Sequence, residues 1–461
     1  MTVTLVIDSS LASELERMLR LPVESGGVMF VTAVSGRNGD TRLLGRGMRW
    51  IADAQYHRRE HNSLTIAPEA YVPFLAEAEE IGAACLWVHT HPGEGSDPTP
   101  SAHDVIVDDL LRPLFEVRTG SPLYGALVLA PNNGGIAFSG HLERDGTRFA
   151  IERIWQIGDR FRQYRHCSEA PLELSPAYDR SIRALGSAVQ ETLAGLRVAV
   201  VGCGGTGSAV AEQLLRLGVR RFLMFDPDVL SQSNVTRVYG SRYVDVGRPK
   251  VTILKSHLLS IASDAQVDAE QTMITTVGAA KLLAECDVVF GCTDDNAGRM
   301  ILSRAATYLM LPVIDCGVLL SSNDRGELKG IDGRVTTLLP GAACLICRQR
   351  IDLRRAAAEL LTPDERVRRE NEGYAPALAG VEPAVVTFTT LVAASAVGEL
   401  LERLTGFGPT PRPTEVLLRC HEREVSTNVA LPRTGHYCDP NAGFIGRADV
   451  TPFLGQTWPT P

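Results

Sequence analysis

The stretch Val200-Val-Gly202-Cys-Gly204-Gly205-Thr-Gly207-Ser208 decides the fold of the larger part of this chain. It ends an apolar, β-prone run and opens a run with helical apolar periodicity. Its glycines permit a tight turn and let backbone N–H groups approach a phosphate at the positive end of the helix. Strand, glycine loop and helix in this order predict the first unit of a doubly wound, Rossmann-like α/β domain that binds a nucleotide.

Downstream of this loop, strand-like apolar runs alternate with helical patterns, which predicts a mostly parallel sheet with helices on both faces. The expected strands are 198–201, 221–225, 287–290, 313–316 and 333–338. The expected helices are 207–217, 250–261, 297–308 and 387–404. The last of these is apolar enough to predict an interface helix that needs a partner. We expect this domain to span 178–447.

Polar residues that suit a triphosphate and its metal follow the glycine loop. Asp226 ends the next strand, where a carboxylate can accept from a ribose hydroxyl. Arg237 and Lys250 supply positive charge for the phosphates. Asp294 stands at the carboxyl end of a strand, where a Mg²⁺ ligand is expected. NAD and FAD domains share the glycine loop, but a dehydrogenase does not need this Arg, Lys and Asp set.

These motifs resemble the ThiF/MoeB/ubiquitin-activating superfamily of adenylating enzymes. The resemblance implies that the chain binds ATP, with Mg²⁺ on Asp294. It also implies a homodimer, in which an arginine ahead of the first strand, here Arg180, reaches the partner's active site. Arg180, Arg237 and Lys250 are the implied catalytic residues of this domain. The implied nucleotide-binding residues are Gly202, Gly204, Gly205, Gly207, Asp226, Asp228, Ser233, Asn234, Arg237, Lys250 and Asp294.

The cysteines depart from the pattern of that superfamily in two ways. Many members hold a structural zinc with two Cys-x-x-Cys pairs. Here Cys344 and Cys347 form one pair, and His436 and Cys438 stand where the second is expected, so a Cys₃His zinc site is chemically allowed. Members that form a thioester with their cargo use a cysteine in the segment that corresponds to 351–384, and this segment contains none. Adenylation with direct transfer to a partner's thiol or to a sulfur donor is therefore an open alternative to a thioester.

A second group of residues suited to catalysis surrounds His89-Thr-His91. The apolar run 83–88 predicts a buried strand, from which both histidines project to the same side. With Asp104 they offer three ligands, the number that a catalytic zinc site uses while a fourth position stays open to water. Hydrolysis also needs a general base, and Glu24, just before a β-prone run, is the candidate.

Together with Ser101, these residues resemble the JAB/JAMM (MPN) metalloprotease signature over residues 1–145. The resemblance implies an α/β metallopeptidase domain in which the two histidines and the aspartate bind zinc. It further implies that the glutamate is the acid/base and that Ser101 helps to hold the tetrahedral oxyanion. His103 is interpreted as a solvated neighbour of the motif.

The rest of the sequence limits the classes of protein. The 461 residues suit two or three domains. Residues 146–177 predict a helical linker, and the Pro-rich tail 448–461 is expected to be loosely held. The net charge of −8 gives no basic footprint for nucleic acid, and no stretch is typical of a membrane span. The scattered cysteines and the lack of a secretory signal pattern predict a cytoplasmic protein.

The two resemblances imply one pathway, because both families act on the C-terminal tail of ubiquitin-like or sulfur-carrier β-grasp proteins. We expect a zinc-dependent (iso)peptidase that processes such a tail and a Mg·ATP-dependent adenylyltransferase that activates its carboxylate. A conjugating enzyme or a sulfur donor is the expected further partner. Two alternatives remain open, an NAD-type oxidoreductase with an accessory domain and a non-catalytic assembly scaffold. Nicotinamide binding, bound zinc and ATP–pyrophosphate exchange distinguish them.

Overall fold

The chain folds into two compact units, Met1–Leu172 and Glu173–Pro461. The structure, a computed structural model, describes residues 1–93, 95, 97–132, 135–168, 174–323, 325, 327–361, 365–366, 368 and 384–458. Much of the cysteine-free segment 351–384 and the last residues of the tail lie outside the described residues.

The first unit is built on a mixed sheet of eight strands in the order β1-β3-β2-β6-β7-β8-β9-β10, with β1 also paired to β9. A separate hairpin, β4–β5, follows β3. The strands are β1 (Val3–Asp8), β2 (Gly26–Ser35), β3 (Thr41–Trp50), β4 (Tyr56–Glu60), β5 (Ser63–Ile66), β6 (Ala84–Thr90), β7 (Leu123–Asn132), β8 (Gly135–Arg144), β9 (Thr147–Ile157) and β10 (Arg162–Arg165). The helices are α1 (Ser9–Leu19), α2 (Val72–Glu80) and α3 (Ala102–Thr119).

The two faces of this sheet bury different cores, because side chains alternate along a strand. Leu86 and Val88 of β6 face the core that includes α1, whereas Cys85 and Trp87 face the core that includes α2 and α3. His89 continues the second series. The alternation therefore places the first histidine of the motif on the side of the sheet that carries α3.

The expected helical linker over 146–177 is wrong for its first half, which forms β9 and β10 of the sheet. The cause is a shift in register between β1 and β9, where Val3 pairs with Ile151 but Thr4 pairs with Arg153. The extra residue breaks the strand alternation. It leaves the buried residues Ile151, Ile154 and Trp155 at spacings of three and four, which imitate a helix.

The second unit contains a sheet in the order β13-β12-β11-β14-β15-β16-β17-β18. Neighbours from β13 to β15 pair in parallel, and those from β15 to β18 pair antiparallel. The strands are β11 (Arg197–Val201), β12 (Arg221–Phe225), β13 (Gln266–Glu270), β14 (Val288–Gly291), β15 (Val313–Ser322), β16 (Leu328–Leu338), β17 (Glu415–Arg419) and β18 (Glu424–Thr427). The helices are α4 (Asp179–Leu185), α5 (Ser187–Gly195), α6 (Gly205–Arg216), α7 (Lys250–Ile261), α8 (Val277–Leu282), α9 (Asn296–Tyr308), α10 (Leu353–Glu359) and α11 (Val386–Thr405). This is the doubly wound α/β arrangement that the sequence predicts, extended by an antiparallel edge.

Two expectations about this unit need correction. The apolar helix α11 does not need a partner to cover its main apolar face, because Val392, Ala396 and Leu400 are buried within the unit, where α11 packs against α6, β15 and β16. Part of the tail 448–461 is firmly packed, since Leu454 is buried and its carbonyl accepts a hydrogen bond from Arg304 Nη1 at 3.1 Å. No helix within the described ranges has the length and apolar character that crossing a membrane requires.

Candidate active sites

The first site is a cluster of His89, His91 and Asp104, whose ligand atoms lie within 4.8 Å of one another. His89 Nε2 lies 3.7 Å from Asp104 Oδ1, and His91 Nε2 lies 4.0 Å from Asp104 Oδ2. Ligands at about 2.0–2.2 Å from a tetrahedral zinc are separated by roughly 3.3–3.6 Å. A small inward movement of these side chains would therefore give the geometry of a zinc site.

The surroundings of the two histidines favour metal binding. His89 Nε2 is buried and has no hydrogen-bond partner among the described residues, and an orphaned buried ring nitrogen is costly unless a ligand occupies it. The Nδ1 of His91 lies 2.7 Å from the carbonyl oxygen of Asp97. Donation to that carbonyl fixes the tautomer that leaves Nε2 free as a ligand, as outer hydrogen bonds do in metal sites.

Asp104 is held by the start of α3 itself. The Ser101 hydroxyl oxygen accepts from Asp104 N–H at 3.2 Å, and Asp104 Oδ2 accepts from Ser101 N–H at 2.7 Å, which together form a capping box. Burial alone would raise the pKa of this carboxyl, but the nearby His89 ring and the hydrogen bonds with Ser101 hold it well below its usual range. The aspartate is therefore kept anionic and aimed at the histidines.

Glu24 lies half-buried just before β2, and it interacts electrostatically with His91 and Asp104. Burial raises the pKa of Glu24 to about 7, against a lowering by His91 and a further raising by Asp104. A carboxyl group whose pKa lies near neutral pH, beside a candidate metal site, is suited to act as a general base. The structure thus brings together the five residues that the sequence predicts for this site, with Ser101 hydrogen-bonded to Asp104.

The backbone of Glu24 is fixed by the β4–β5 hairpin. Its N–H donates to the carbonyl of Glu60 at 2.8 Å, and its own carbonyl accepts from Arg59 Nε at 2.9 Å. Arg59 also donates to Ser25 Oγ at 2.5 Å. Sequence reasoning missed this support, because nothing in the motif relates the glutamate to a hairpin that comes after β3.

The other histidines near this motif have different surroundings. His57, His61 and His103 are exposed and stand outside the metal cluster. His141 Nε2 instead lies 3.2 Å from Asp108 Oδ2. The other carboxylate oxygen of Asp108, Oδ1, accepts a hydrogen bond from Tyr124 Oη at 2.5 Å. Among the described histidines, those of the motif, His89 and His91, therefore form this candidate metal centre.

The second site is a cavity of about 1120 Å³ in the second unit, at the carboxyl ends of the parallel strands. Nucleotides bind at this edge of doubly wound sheets. Among its lining residues are Gly202, Gly204, Gly205, Asp226, Asp228, Ser233, Asn234, Arg237, Lys250 and Asp294. The structure thus gathers ten of the sequence-predicted nucleotide residues around one space. Gly207 does not line it.

The glycines of the loop meet different steric demands. Gly202 has φ +92°, and a Cβ there would lie 2.6 Å from the carbonyl oxygen of Cys292. A Cβ on Gly207 would overlap the carbonyl oxygen of Gly202, so this position sets the close approach of α6 to the loop. A Cβ on Gly204 would meet nothing within 4 Å, which leaves its backbone open to the cavity.

Asp226 braces the glycine loop. Its carboxylate accepts from Cys203 N–H at 2.7 Å and from Asp228 N–H at 2.9 Å. Burial raises the pKa of Asp226, and the neighbouring positive charge of Lys250 lowers it. Each oxygen keeps a further lone pair, so the aspartate can hold the loop and still accept from a ribose hydroxyl.

The cationic residues border the same cavity. Lys250 Nζ lies 2.7 Å from Asp228 Oδ2 and 3.8 Å from Asp226 Oδ1. Arg237 donates through Nη1 to the carbonyl of Ser233 at 3.1 Å, and its aliphatic carbons lie beside Gly205. Both side chains are therefore positioned next to the start of α6, where phosphates would bind.

Adjacent aspartates after β14 have different environments. Asp295 is the N-cap of α9, and its carboxylate accepts from Gly298 N–H. Asp294 is exposed, lines the cavity and makes no hydrogen bond or ion pair with another described residue. Asp294 is thus the carboxylate available to a Mg²⁺ ion, and Asp295 maintains the helix.

Two further arginines of the cavity, to which the sequence assigns no role, share one buried carboxylate. Arg334 Nη2 lies 2.6 Å from Oδ2 of the fully buried Asp315, and Arg299 Nε lies 3.5 Å from its Oδ1. Both arginines line the cavity. They come from β16 and α9, and no local pattern in the sequence marks a contact between residues so far apart.

Arg180 lies elsewhere. It is exposed on α4 and does not line the cavity. A role for Arg180 in catalysis would therefore require the active site of another subunit.

The cysteines near the glycine loop are unsuited to act as nucleophiles. Burial raises the pKa of Cys203, and hydrogen bonding to Cys316, together with burial, raises the pKa of Cys292.

A third cluster joins Cys344, Cys347, His436 and Cys438. His436 Nδ1 lies 3.2 Å from Cys438 Sγ, 3.5 Å from Cys347 Sγ and 3.7 Å from Cys344 Sγ, and Cys347 Sγ lies 3.6 Å from Cys438 Sγ. Sulfur and nitrogen ligands at about 2.0–2.3 Å from a tetrahedral zinc lie roughly 3.5–3.8 Å apart. Hydrogen bonding, first from Cys438, lowers the pKa of Cys344 to about 5. The four groups fit a closed structural zinc site of the Cys₃His type.

The ThiF family profile matches residues 178–438, more than half of the chain, and the chain therefore belongs to the ThiF family. The SAMP-activating enzyme E1 of Haloferax volcanii is 26% identical over 163 residues, which are 35% of this chain and 57% of that protein. The molybdopterin-synthase adenylyltransferase of Escherichia coli is 29% identical over 164 residues, 35% of this chain and 62% of that protein. The ubiquitin-like modifier-activating enzyme 5 of Dictyostelium discoideum is 30% identical over 170 residues, which are 34% of this chain and 42% of that protein. The matched segments thus span less than two thirds of these relatives.

Proposed function

We propose that this chain is a two-activity enzyme of a ubiquitin-like or sulfur-carrier pathway. Its second unit would adenylate the C-terminal carboxylate of a β-grasp protein with Mg·ATP, and its first unit would be a JAB/MPN-type zinc (iso)peptidase that processes the tail of such a protein. The observation that carries the proposal is that each unit gathers most of its predicted residues around one place, whereas Gly207 and Arg180 do not line the nucleotide cavity. Membership of the ThiF family and the names of the relatives support the adenylating half.

In the adenylating unit, the carboxylate of the carrier protein would attack the α-phosphate of ATP and release pyrophosphate. Lys250 and Arg237 would neutralise the phosphates, the backbone around Gly204 and Gly205 would hold them, and Asp294 would hold Mg²⁺. The buried Asp226 would orient the ribose. Because this reaction develops charge on phosphate oxygens, fixed cations and backbone N–H groups are the groups it needs most.

In the first unit, His89, His91 and Asp104 would hold the metal. A bound zinc would lower the pKa of a water molecule and polarise the scissile carbonyl. Glu24 would accept the proton from the attacking water and deliver it to the leaving amine. The Ser101 hydroxyl, whose oxygen accepts from Asp104 N–H, keeps its own proton to donate to the developing oxyanion.

The order of the two reactions tests the proposal as a pathway. A carrier extended beyond its Gly-Gly end should support ATP–pyrophosphate exchange only after trimming, whereas a carrier that already ends in Gly-Gly should support it at once. A conjugating enzyme or a sulfur donor would then take the activated carrier. Exchange without any carrier, or nicotinamide binding in place of ATP, would contradict the proposal. Zinc without either activity would favour a scaffold.

We predict two zinc ions per chain, because the two clusters offer separate ligand sets. His91→Ala should remove one zinc and Cys347→Ser the other, whereas His103→Ala should remove neither. Metal analysis of the purified full-length variants measures this. The Cys347→Ser variant should also lower the melting temperature, since structural zinc contributes directly to folding. A single zinc lost only through Cys347→Ser would remove the metal from the peptidase half.

We predict that the chain acts as a homodimer in which Arg180 completes the partner's active site. Arg180→Ala should reduce exchange, because each active site of the dimer would then lack the arginine of the other subunit. Mixing Arg180→Ala with Asp294→Ala should restore part of the activity, since one of the two mixed sites is then intact. Arg183→Ala, on the same exposed helix, is the control. A fully active monomer by light scattering would contradict the prediction.

A further inference from the structure

A cavity of about 320 Å³ adjoins the metal cluster in the first unit. His89 and Asp104 form part of its wall, so it opens directly onto the position of the metal. Its volume lies at the lower end of the range for small-molecule pockets, about 300–1000 Å³. This space is thus suited to one large side chain rather than to an extended peptide.

The position of the cavity relative to Glu24 determines what it can contact. Glu24 precedes β2, which pairs with β6 on one side, and the cavity is lined by residues of β7 and β8 on the other. The metal cluster at the end of β6 therefore lies between the base and the cavity. A substrate bound at the metal can extend a side chain into the cavity without displacing Glu24.

The walls of the cavity favour an apolar occupant. Trp87, Val105, Ala126 and Val128 contribute apolar surface. Three further titratable residues of the lining are paired with one another, since Asp108 lies 3.2 Å from His141 and 3.5 Å from Arg148. No unpaired charge among these groups is left to compensate a charged side chain, and burying one there would be costly.

We propose that this cavity selects a large apolar residue at the first position after the scissile bond. The inference rests on the proposed peptidase function, in which trimming exposes a Gly-Gly end. Glycines have no side chain, so the only side chain next to the scissile bond belongs to the segment that is removed. The carrier protein would accordingly be made as a precursor whose Gly-Gly is followed by a leucine-like or phenylalanine-like residue.

The test compares carriers in which Gly-Gly is followed by Leu, Ala or Asp, using the full zinc-loaded chain. The kcat/KM for the Leu extension should exceed that for the Ala extension by at least about tenfold, because alanine leaves unfilled the apolar space that the leucine side chain would occupy. Val105→Trp, at the rim, should bring this ratio close to one without changing zinc content. Ile106→Trp is the matched control, because Ile106 is exposed on the same helix and does not line the cavity. Ala126→Phe fills the cavity from β7 and is the second variant.

Binding separates this inference from the peptidase function. Titration of the Glu24→Gln chain with short peptides that contain Gly-Gly-Leu or Gly-Gly-Ala needs no turnover. If the wild-type chain cleaves nothing but the Leu peptide binds tighter in a Val105-dependent manner, the peptidase proposal fails and the cavity inference stands. Equal affinity for the two peptides, or a preference that survives both Val105→Trp and Ala126→Phe, overturns the inference. So does an equal effect of Val105→Trp on a lysine isopeptide, which would assign the cavity to the lysine stem.

Discussion

Asp294→Asn should reduce Mg·ATP-dependent pyrophosphate exchange to less than about one hundredth of the wild-type rate, because losing one charge-stabilising group at such a site typically costs ~10²–10³ in rate. Asp294 is an exposed carboxylate that lines the cavity, and asparagine has nearly the same size but lacks the charge that would hold Mg²⁺. Exchange of labelled pyrophosphate into ATP, with a carrier that ends in Gly-Gly, measures the loss.

Asp295→Asn is the matched control for this prediction. Asp295 caps α9, and asparagine is as good an N-cap as aspartate, so the variant should fold and keep most of its exchange activity. If Asp295→Asn lost exchange and Asp294→Asn kept it, the roles of the two aspartates would be reversed. Cleavage of an extended carrier should persist in both variants, because the metal cluster belongs to the other compact unit.

Glu24→Gln should lower the rate of tail cleavage by roughly 10²–10⁴-fold, the usual contribution of a general base. Zinc content should not change, because Glu24 is not one of the three clustered ligands. Cleavage of an extended carrier and metal analysis of the same preparation give the two measurements. Exchange with a pre-trimmed carrier should stay at the wild-type rate.

Glu60→Gln is the control for Glu24→Gln. Glu60 holds the backbone of Glu24 through its carbonyl oxygen, while its side chain is paired with Arg58 at 2.8 Å on the surface. The substitution leaves that carbonyl in place, so cleavage should continue. An undiminished rate in Glu24→Gln would remove Glu24 from the mechanism. A loss of zinc in the same variant would show that the carboxylate binds the metal instead.

Local patterns in the sequence predict part of the fold well. The bounds of α7 and β12 agree with the predicted 250–261 and 221–225, because both elements have regular apolar periodicity and are bounded by turns. The sequence does not predict the edge strand β13, since the strand has only five residues and buries only Val267. The apolar spacing within β9 predicts a helix, because a shift in register against β1 interrupts the strand alternation. Periodicity therefore fails where pairing with a distant strand introduces an extra residue.

The candidate sites show the same division between local and distant information. Motifs with fixed spacing predict His89, His91, Asp104 and the glycine loop, because each lies on one element or at its end. The contacts that hold them do not follow from spacing. Arg59 fixes the backbone of Glu24 across a hairpin, and Asp315 lies between arginines of two other elements. Such contacts depend on how the chain returns to the site.

The capping box at the start of α3 affects how one can judge, from sequence, whether a related domain in another protein is an active peptidase. Ser101 and Asp104 hold the first turn of the helix whether or not metal is bound, so a copy that has lost hydrolysis would still benefit from keeping them. The side chains of Glu24 and His91 do not stabilise a helix in this way, so these residues could be substituted once hydrolysis is no longer needed. A serine and an aspartate at this spacing are therefore weak signs of a working peptidase, and the glutamate and the second histidine are the informative ones.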